Sequence, residues 1–267
     1  MRKIVVGWIY LNKVGMLMKT AIITGASAGL GMEYVRQIKD VFPEITTYWL
    51  IARRAEPMKA LSVEGVTLRH ISLDLTGEDF IPALQNMLQQ EQPTVSLLIG
   101  CAGCGYLGDF DESVLDEQLR MVDLNIRALT AVTRLVLPYV ERGGRIIHIS
   151  SIASFVPNPR MTIYSATKSF VSAFSRGLHE ELRPRKISVT AVCPGPMDTD
   201  FIRLGRINGN SKTFDVLPYC DPVKVVRGSL QAAKKHRAVY TPRVLYKVYR
   251  VLSSLIPHAI FVKFTKT

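Results

Sequence analysis

Hydrophobic positions fall into two alternating patterns along this chain. Short runs rich in Val, Ile, Leu, Thr and aromatics predict strands at residues 20–24, 47–52, 67–72, 95–99, 145–150, 187–193 and 238–241. Longer stretches with helical spacing predict helices at 29–41, 55–61, 80–90, 114–139, 166–182 and 223–233. Most of the strand-like runs are rich in Val, Ile and Leu, which is the mark of strands buried on both faces. The pattern therefore predicts an α/β fold with a mostly parallel central sheet covered by helices on both faces. Right-handed crossovers would make it doubly wound.

No linker or solenoid repeat divides the pattern, so residues 19–241 read as one domain. Residues 1–18 precede the first convincing strand and are expected to form an N-terminal extension of uncertain role. Residues 201–221 have weak periodicity and two glycines, Gly205 and Gly209, and predict a mobile substrate loop at about 200–221. Residues 242–267 form a basic apolar C-terminal segment of the same domain. An apolar run at 244–256 is broken by Lys247 and Arg250 and stopped by Pro257; a second follows at 259–264. Such a segment can lie on a membrane surface, wall the substrate pocket, or pack in an interface or core.

Composition narrows the classes. With 48% hydrophobic and 21% charged residues, the chain of 267 is a packed globular protein, not a disordered one. The net charge of +12 is carried by the ends. Residues 1–19 hold four Lys/Arg and residues 222–267 hold ten, with no acid in either, so the remainder sums to −2. A nucleic-acid protein would carry its basic residues around a groove; basic ends suit a periphery facing anionic lipid. No uninterrupted apolar run reaches the ~18 residues of a membrane span. The four cysteines, Cys101, Cys104, Cys193 and Cys220, read as reduced thiols of a cytoplasmic protein. Cys101 and Cys104 form a C-x-x-C without further ligands, and the five histidines lack metal spacing, so no metal site is expected.

Two clusters carry chemistry. Gly25, Gly29 and Gly31 follow the first strand and open a helix, which suits a tight turn with the helix N-terminus facing a pyrophosphate. The second strand ends in Ala52-Arg53-Arg54, where an NAD site would place a carboxylate; guanidinium groups instead suit the 2′-phosphate of NADP(H). Arg53 is the first choice for that contact and Arg54 the second, the alternative being solvated surface charge. Tyr164 and Lys168 stand at i and i+4, on one helical face. An ammonium there would lower the phenol pKa and make Tyr164 a general acid or base. Taken alone, a surface pair would show the same spacing.

The glycine segment Thr24-Gly25-Ala26-Ser27-Ala28-Gly29-Leu30-Gly31, with its G-x-x-x-G-x-G spacing, resembles the classical short-chain dehydrogenase/reductase family over about residues 19–241. The resemblance implies a Rossmann-type domain, a nicotinamide cofactor and a homo-oligomer. It implies cofactor contacts from Gly25, Ser27, Gly29, Leu30 and Gly31, from Arg53 and Arg54, and from Asp74 and Leu75 beside the adenine. Cys101-Ala102-Gly103 stands where the family has N-A-G; Ala102 and Gly103 would lie beside the ribose, while Cys101 loses a side chain that ties strands together. Pro194, Gly195, Met197 and Thr199 match a P-G-x-x-x-T segment beside the nicotinamide amide.

Ser151, thirteen residues before Tyr164, matches the catalytic serine, with Ser150 a structural neighbour. By the same resemblance Lys168 binds the nicotinamide ribose, and Asn125 supports a water chain from Lys168 to solvent. The expected catalytic set is thus Ser151, Tyr164, Lys168 and Asn125.

Phe201, Ile202, Leu204, Phe214, Val216 and Leu217 make the expected loop apolar. The expected function is NADP(H)-dependent interconversion of a ketone and a secondary alcohol on a small apolar, steroid-like or lipid-like substrate. The alternatives are a 3-oxoacyl-thioester reductase of lipid synthesis and a non-catalytic nucleotide-binding protein of this fold. The expected setting is the cytoplasm, with peripheral membrane contact through the basic C-terminal segment and no nucleic-acid partner.

Overall fold

The computed structural model describes residues 18–205, 207, 211–265 and 267. The expected extension lies almost wholly outside the described residues.

Seven strands form one parallel sheet: β1 (Lys19–Thr24), β2 (Ile45–Ala52), β3 (Thr67–Ser72), β4 (Thr94–Gly100), β5 (Val140–Ile149), β6 (Ser188–Val192) and β7 (Val239–Tyr240). Their order is β3-β2-β1-β4-β5-β6-β7. The chain winds outward in one direction through β2 and β3, then returns to pair β4 with β1. This reversal opens a crevice at the carboxyl ends of β1 and β4, where ligands of such sheets bind.

Period-two side-chain alternation explains the apolar runs. Ile23, Leu50, Leu97, Ile99 and Ile147 face one layer, with Tyr34, Val35 and Ile38 of α1 (Gly29–Val41) and residues of the helix Pro222–Lys234. Their neighbours Ile22, Trp49, Ile51, Leu98 and Ile146 face the other, with Phe80, Leu84 and Leu88 of the helix Phe80–Glu91. Strands β1 to β6 thus feed two cores, and the expected doubly wound fold is the observed one.

The remaining helices are α2 (Glu56–Lys59), α3 (Phe80–Glu91), α4 (Leu115–Val122), α5 (Leu129–Val136), α6 (Thr162–Glu181), α7 (Asp200–Leu204), α8 (Lys212–Val216), α9 (Pro222–Lys234), α10 (Val244–Leu255) and α11 (His258–Phe261). Four differ from expectation. The segment 114–139 is not one regular helix: a π turn at Asp123–Ala128 separates α4 from α5. Helix α6 begins at Thr162, so Tyr164 lies on it. Only one turn of the helix expected at 55–61 forms, as α2. The segment 201–221 is not irregular throughout but carries α7 and α8, the latter capped by Ser211, whose hydroxyl accepts the Phe214 N–H. Strand β5 also starts earlier than expected, because a bulge with Gly143 at φ 85° lets Val140 pair with Val95 while Arg145 pairs with Leu97.

Candidate active site

A cavity of about 720 Å³ occupies the crevice. It gathers the turn after β1 (Gly25, Ser27, Gly29, Leu30), the ends of β2 and β3 (Arg53, Arg54, Asp74, Leu75), Ala102 and Gly103 after β4, and Pro194, Gly195, Met197 and Thr199 after β6. Ser151, Tyr164 and Lys168 stand on the same cavity wall. Of the expected site residues, Gly31 and Asn125 do not line it.

The glycines explain the turn's shape. Gly25 has φ 70°, and a Cβ there would lie 2.8 Å from the Ala102 nitrogen, so glycine lets the β1 and β4 ends touch. A Cβ at Gly31 would collide with the Gly25 carbonyl; this residue seats α1 against the turn instead of meeting a ligand.

Thr24 is the residue that sequence reading missed. Its hydroxyl oxygen accepts the Cys101 N–H at 3.1 Å and the Ala102 N–H at 3.2 Å, and the hydroxyl donates to the Ile99 carbonyl at 3.4 Å. The strands are therefore tied from β1, and Cys101 need not supply the tie that its departure from Asn seemed to remove.

The residues fit a dinucleotide phosphate. Helix α1 starts at Ala28, which has no capping oxygen, and its first turn has no acid. Its N-terminus at Ser27–Leu30 therefore presents backbone N–H groups to the cavity without a side-chain cap. Arg53 and Arg54 stand at the end of β2 without a carboxylate at Ala52. Arg53 lies 3.7 Å from Asp74. Burial pushes the Asp74 carboxyl up, but the Thr76 N–H and hydroxyl and the Arg53 charge outweigh it and leave the pKa below the usual value. One Asp74 oxygen thus shapes a turn, accepting from Thr76 at 3.0 and 2.7 Å; the other faces Arg53.

At the other end Tyr164 and Ser151 share the cavity wall. Ser151 caps a short 3-10 turn by accepting the Ala153 N–H at 3.1 Å. Ser150 turns away: its hydroxyl donates to the Lys168 carbonyl at 2.8 Å and meets Ser172 at 2.8 Å, a structural role. Lys168 Nζ donates to the Ile149 carbonyl at 2.9 Å and lies 5.6 Å from the centre of the Tyr164 ring. The expected fall in the phenol pKa is not what this environment produces. Burial pushes Tyr164 up to about 12 against the opposing effect of the Ser151 side chain, and burial pushes Lys168 down to about 8. Desolvation is the largest cause of both shifts.

Asn125 sits behind this wall, in the π turn. Its Oδ1 accepts the Cys104 N–H at 2.9 Å, and its Nδ2 donates to the Cys104 carbonyl at 2.8 Å and to Thr167 at 3.0 Å. It braces the loop after β4 against α6. Burial raises the Cys101 thiol to about 12 and Cys104 to about 11, so both stay protonated. The four cysteines are free, and the described residues hold no metal-ligating cluster.

Around Tyr164 the wall is apolar. It packs with Met161, Ile202 and Phe201, whose ring centre is 5.5 Å away. Leu245, Tyr246, Tyr249 and Phe261 of the C-terminal segment continue this wall. Sequence reading had left pocket wall among three roles for that segment; the Tyr246/Tyr249 spacing, one turn apart, was the signal.

A crevice with an α1 phosphate cradle and a serine beside a buried tyrosine-lysine pair defines an oxidoreductase of nicotinamide chemistry. The chain belongs to the short-chain dehydrogenase/reductase family: the family model described as short chain dehydrogenase matches residues 19–206. Serine 3-dehydrogenase of Agrobacterium fabrum is 32% identical over 202 residues, 74% of this chain and 79% of that one. Human very-long-chain 3-oxoacyl-CoA reductase is 32% identical over 203 residues, 70% of this chain and 63% of that longer protein. Among solved structures, a Sphingobium yanoikuyae short-chain dehydrogenase in complex with NADPH superposes with a TM-score of 0.74 at 28% identity, covering 90% of this chain and 97% of that one.

Proposed function

We propose that the protein is an NADP(H)-dependent reductase that interconverts a ketone and a secondary alcohol on a small apolar substrate. One observation carries the reading: Ser151, Tyr164 and Lys168 line one cavity together with the apolar Met161, Phe201, Tyr249 and Phe261 and with Arg53 and Arg54. Gly25, Ser27, Gly29 and Leu30 would hold the pyrophosphate, Arg53 and Arg54 the 2′-phosphate, and Ala102, Gly103, Pro194, Gly195, Met197 and Thr199 the nicotinamide half. The bound cofactor supplies or accepts a hydride.

The chain's own residues manage the proton. In reduction Tyr164 gives its phenolic proton to the carbonyl oxygen; in oxidation it accepts the alcohol proton. Ser151 donates a hydrogen bond to the same oxygen as charge develops there. Lys168, held by Ile149, places a cation beside Tyr164. Asn125 acts behind them as a positioning residue.

A second enzyme reading, reduction of a 3-oxoacyl thioester, is supported by the human relative and by the basic C-terminal segment, which could meet an acidic carrier. The serine-acting relative points to a polar substrate, against which the apolar wall argues. The expected homo-oligomer has a surface available: Leu115, Leu119 and Val122 of α4 and Phe170 of α6 are exposed. We place the protein in the cytoplasm, in keeping with its four free thiols, with peripheral attachment to membranes. NADPH oxidation at 340 nm against steroid ketones, aliphatic ketones, 3-oxoacyl thioesters and 3-oxo acids, each repeated with NADH, tests the reading. Preference for NADH, or for polar substrates, would overturn it. Tight cofactor binding with no turnover on any substrate would favour the non-catalytic alternative.

A further inference from the structure

Helix α10 has two unlike faces. Tyr246, Tyr249 and Ser253 turn inward; Tyr246 is buried and its hydroxyl donates to the Pro218 carbonyl at 2.7 Å. The opposite side is apolar and open. Val244, Leu245, Val248, Val251, Leu252 and Leu255 are all exposed, from 42% at Leu252 to 73% at Val244 and Leu255. At 100° per residue these six fall within an arc about 120° wide. Lys247 flanks one edge of that arc, Arg250 turns inward and donates to the Thr241 hydroxyl at 3.2 Å, and Ile260 of α11 and Lys263 just after it extend the same chemistry beyond α10.

We propose that this face of α10 docks the protein on an anionic phospholipid bilayer, the helix lying in the headgroup plane. Charge decides between occupants. Residues 222–267 hold ten Lys/Arg and no acid. A second copy of α10 laid on the first would set cations against cations with no carboxylate from either segment to answer them. An anionic lipid surface answers the cations beside this face, Lys247 and Lys263, while the six aliphatic side chains enter the acyl boundary.

The placement also orients the cavity. Leu245 belongs to the exposed stripe and to the cavity lining, and exposed Leu204 of α7 lines the cavity as well. The mouth therefore adjoins the docking face, so an apolar substrate could pass between bilayer and cavity without crossing water. This consequence rests on the substrate reading above, whereas docking itself does not.

The test is co-sedimentation of the full chain with vesicles of phosphatidylcholine alone, and of phosphatidylcholine with about one-third phosphatidylserine. Expected is binding to the second, at least about tenfold weaker binding to the first, and release as salt rises from about 0.1 to 0.5 M. Val248→Asp with Leu252→Asp, at positions outside the cavity lining, should weaken vesicle binding at least about tenfold and leave NADPH affinity unchanged. Lys247→Glu should weaken it in the same direction. Failure to bind the anionic vesicles overturns the proposal, as does equal binding by the Asp double variant. Light scattering that shows the double variant falling from dimer to monomer, with vesicle binding intact, would assign the face to a second copy instead. No substrate is present in these assays, so docking and the substrate reading can fail separately.

Discussion

Lys168 donates to the Ile149 carbonyl at 2.9 Å and holds its ammonium 5.6 Å from the centre of the Tyr164 ring, one helical turn away on α6. Both groups are buried, and burial moves both toward their neutral forms. The pH dependence follows. Oxidation of the alcohol needs Tyr164 as phenolate, and with a pKa of about 12 that fraction grows about tenfold per pH unit through neutrality. Reduction needs the phenol, which predominates throughout this range. Initial rates from pH 6 to about 7.5, below the Lys168 pKa of about 8, should therefore rise in the oxidative direction and stay nearly level in the reductive one. Tyr164→Phe should lower kcat about 10²–10⁴-fold with cofactor affinity retained, measured by fluorescence titration.

Arg53 is half-exposed, with Asp74 as its ionic partner at 3.7 Å, so removing it disturbs little of the fold. Its contribution should appear only with the phosphorylated cofactor. Arg53→Ser should raise KM for NADPH about 10–100-fold, as expected for loss of a charge-assisted hydrogen bond, and leave KM for NADH within a factor of about two. Equal effects on both cofactors would remove Arg53 from the 2′-phosphate site.

Most of the fold was legible because strands buried on both faces write themselves as apolar runs: Ile22 and Ile23 belong to opposite cores, and so do Leu97 and Leu98. Ser151, Tyr164 and Lys168 were legible because their spacing places them on one strand end and one helix face. What stayed hidden depends on neighbours far along the chain. Thr24 gains its role from Cys101 and Ala102, about 77 residues away. The π turn around Asn125 has no period of its own against helical flanks. Gly31 has the spacing of a ligand contact but is spent on packing against Gly25. The phenol pKa was misjudged for a similar reason, since an i, i+4 ammonium is visible in sequence and the depth of burial is not.

His148 in β5 is fully buried, 3.1 Å from the Thr133 hydroxyl, 2.9 Å from the Ser175 hydroxyl and stacked on Phe174. Burial lowers its pKa to about 3 from 6.5. Above pH 6.5 both folded and unfolded chains carry it neutral; as pH falls, the unfolded chain takes up the proton first. Its contribution to stability is thus full above 6.5 and lost progressively toward 3, by at most about 1.4 kcal/mol per pH unit. Urea midpoints at pH 7 and pH 5 should differ accordingly. His148→Gln, which does not titrate, should shrink that difference while lowering stability at both values. An unchanged difference would remove His148 as its source.

The C-terminal segment touches the turn after β6 where Tyr246 packs on Gly195. A Cβ on Gly195 would collide with the ring of Tyr246, which burial and its bond to the Pro218 carbonyl hold in place. Gly195→Ala should therefore cost about 1–3 kcal/mol as an overpacked site. It should also weaken NADPH binding, because the turn after β6 must shift. Tyr246→Leu makes room and should carry its own cost for the lost ring and hydrogen bond. If the ring is what excludes the methyl group, the two losses do not add: the double variant should be more stable than their sum predicts by about 0.5–3 kcal/mol. Part of the NADPH affinity lost in Gly195→Ala should then return. Urea denaturation of the four proteins measures the coupling, and additive losses would mean that the turn relaxes without reference to Tyr246.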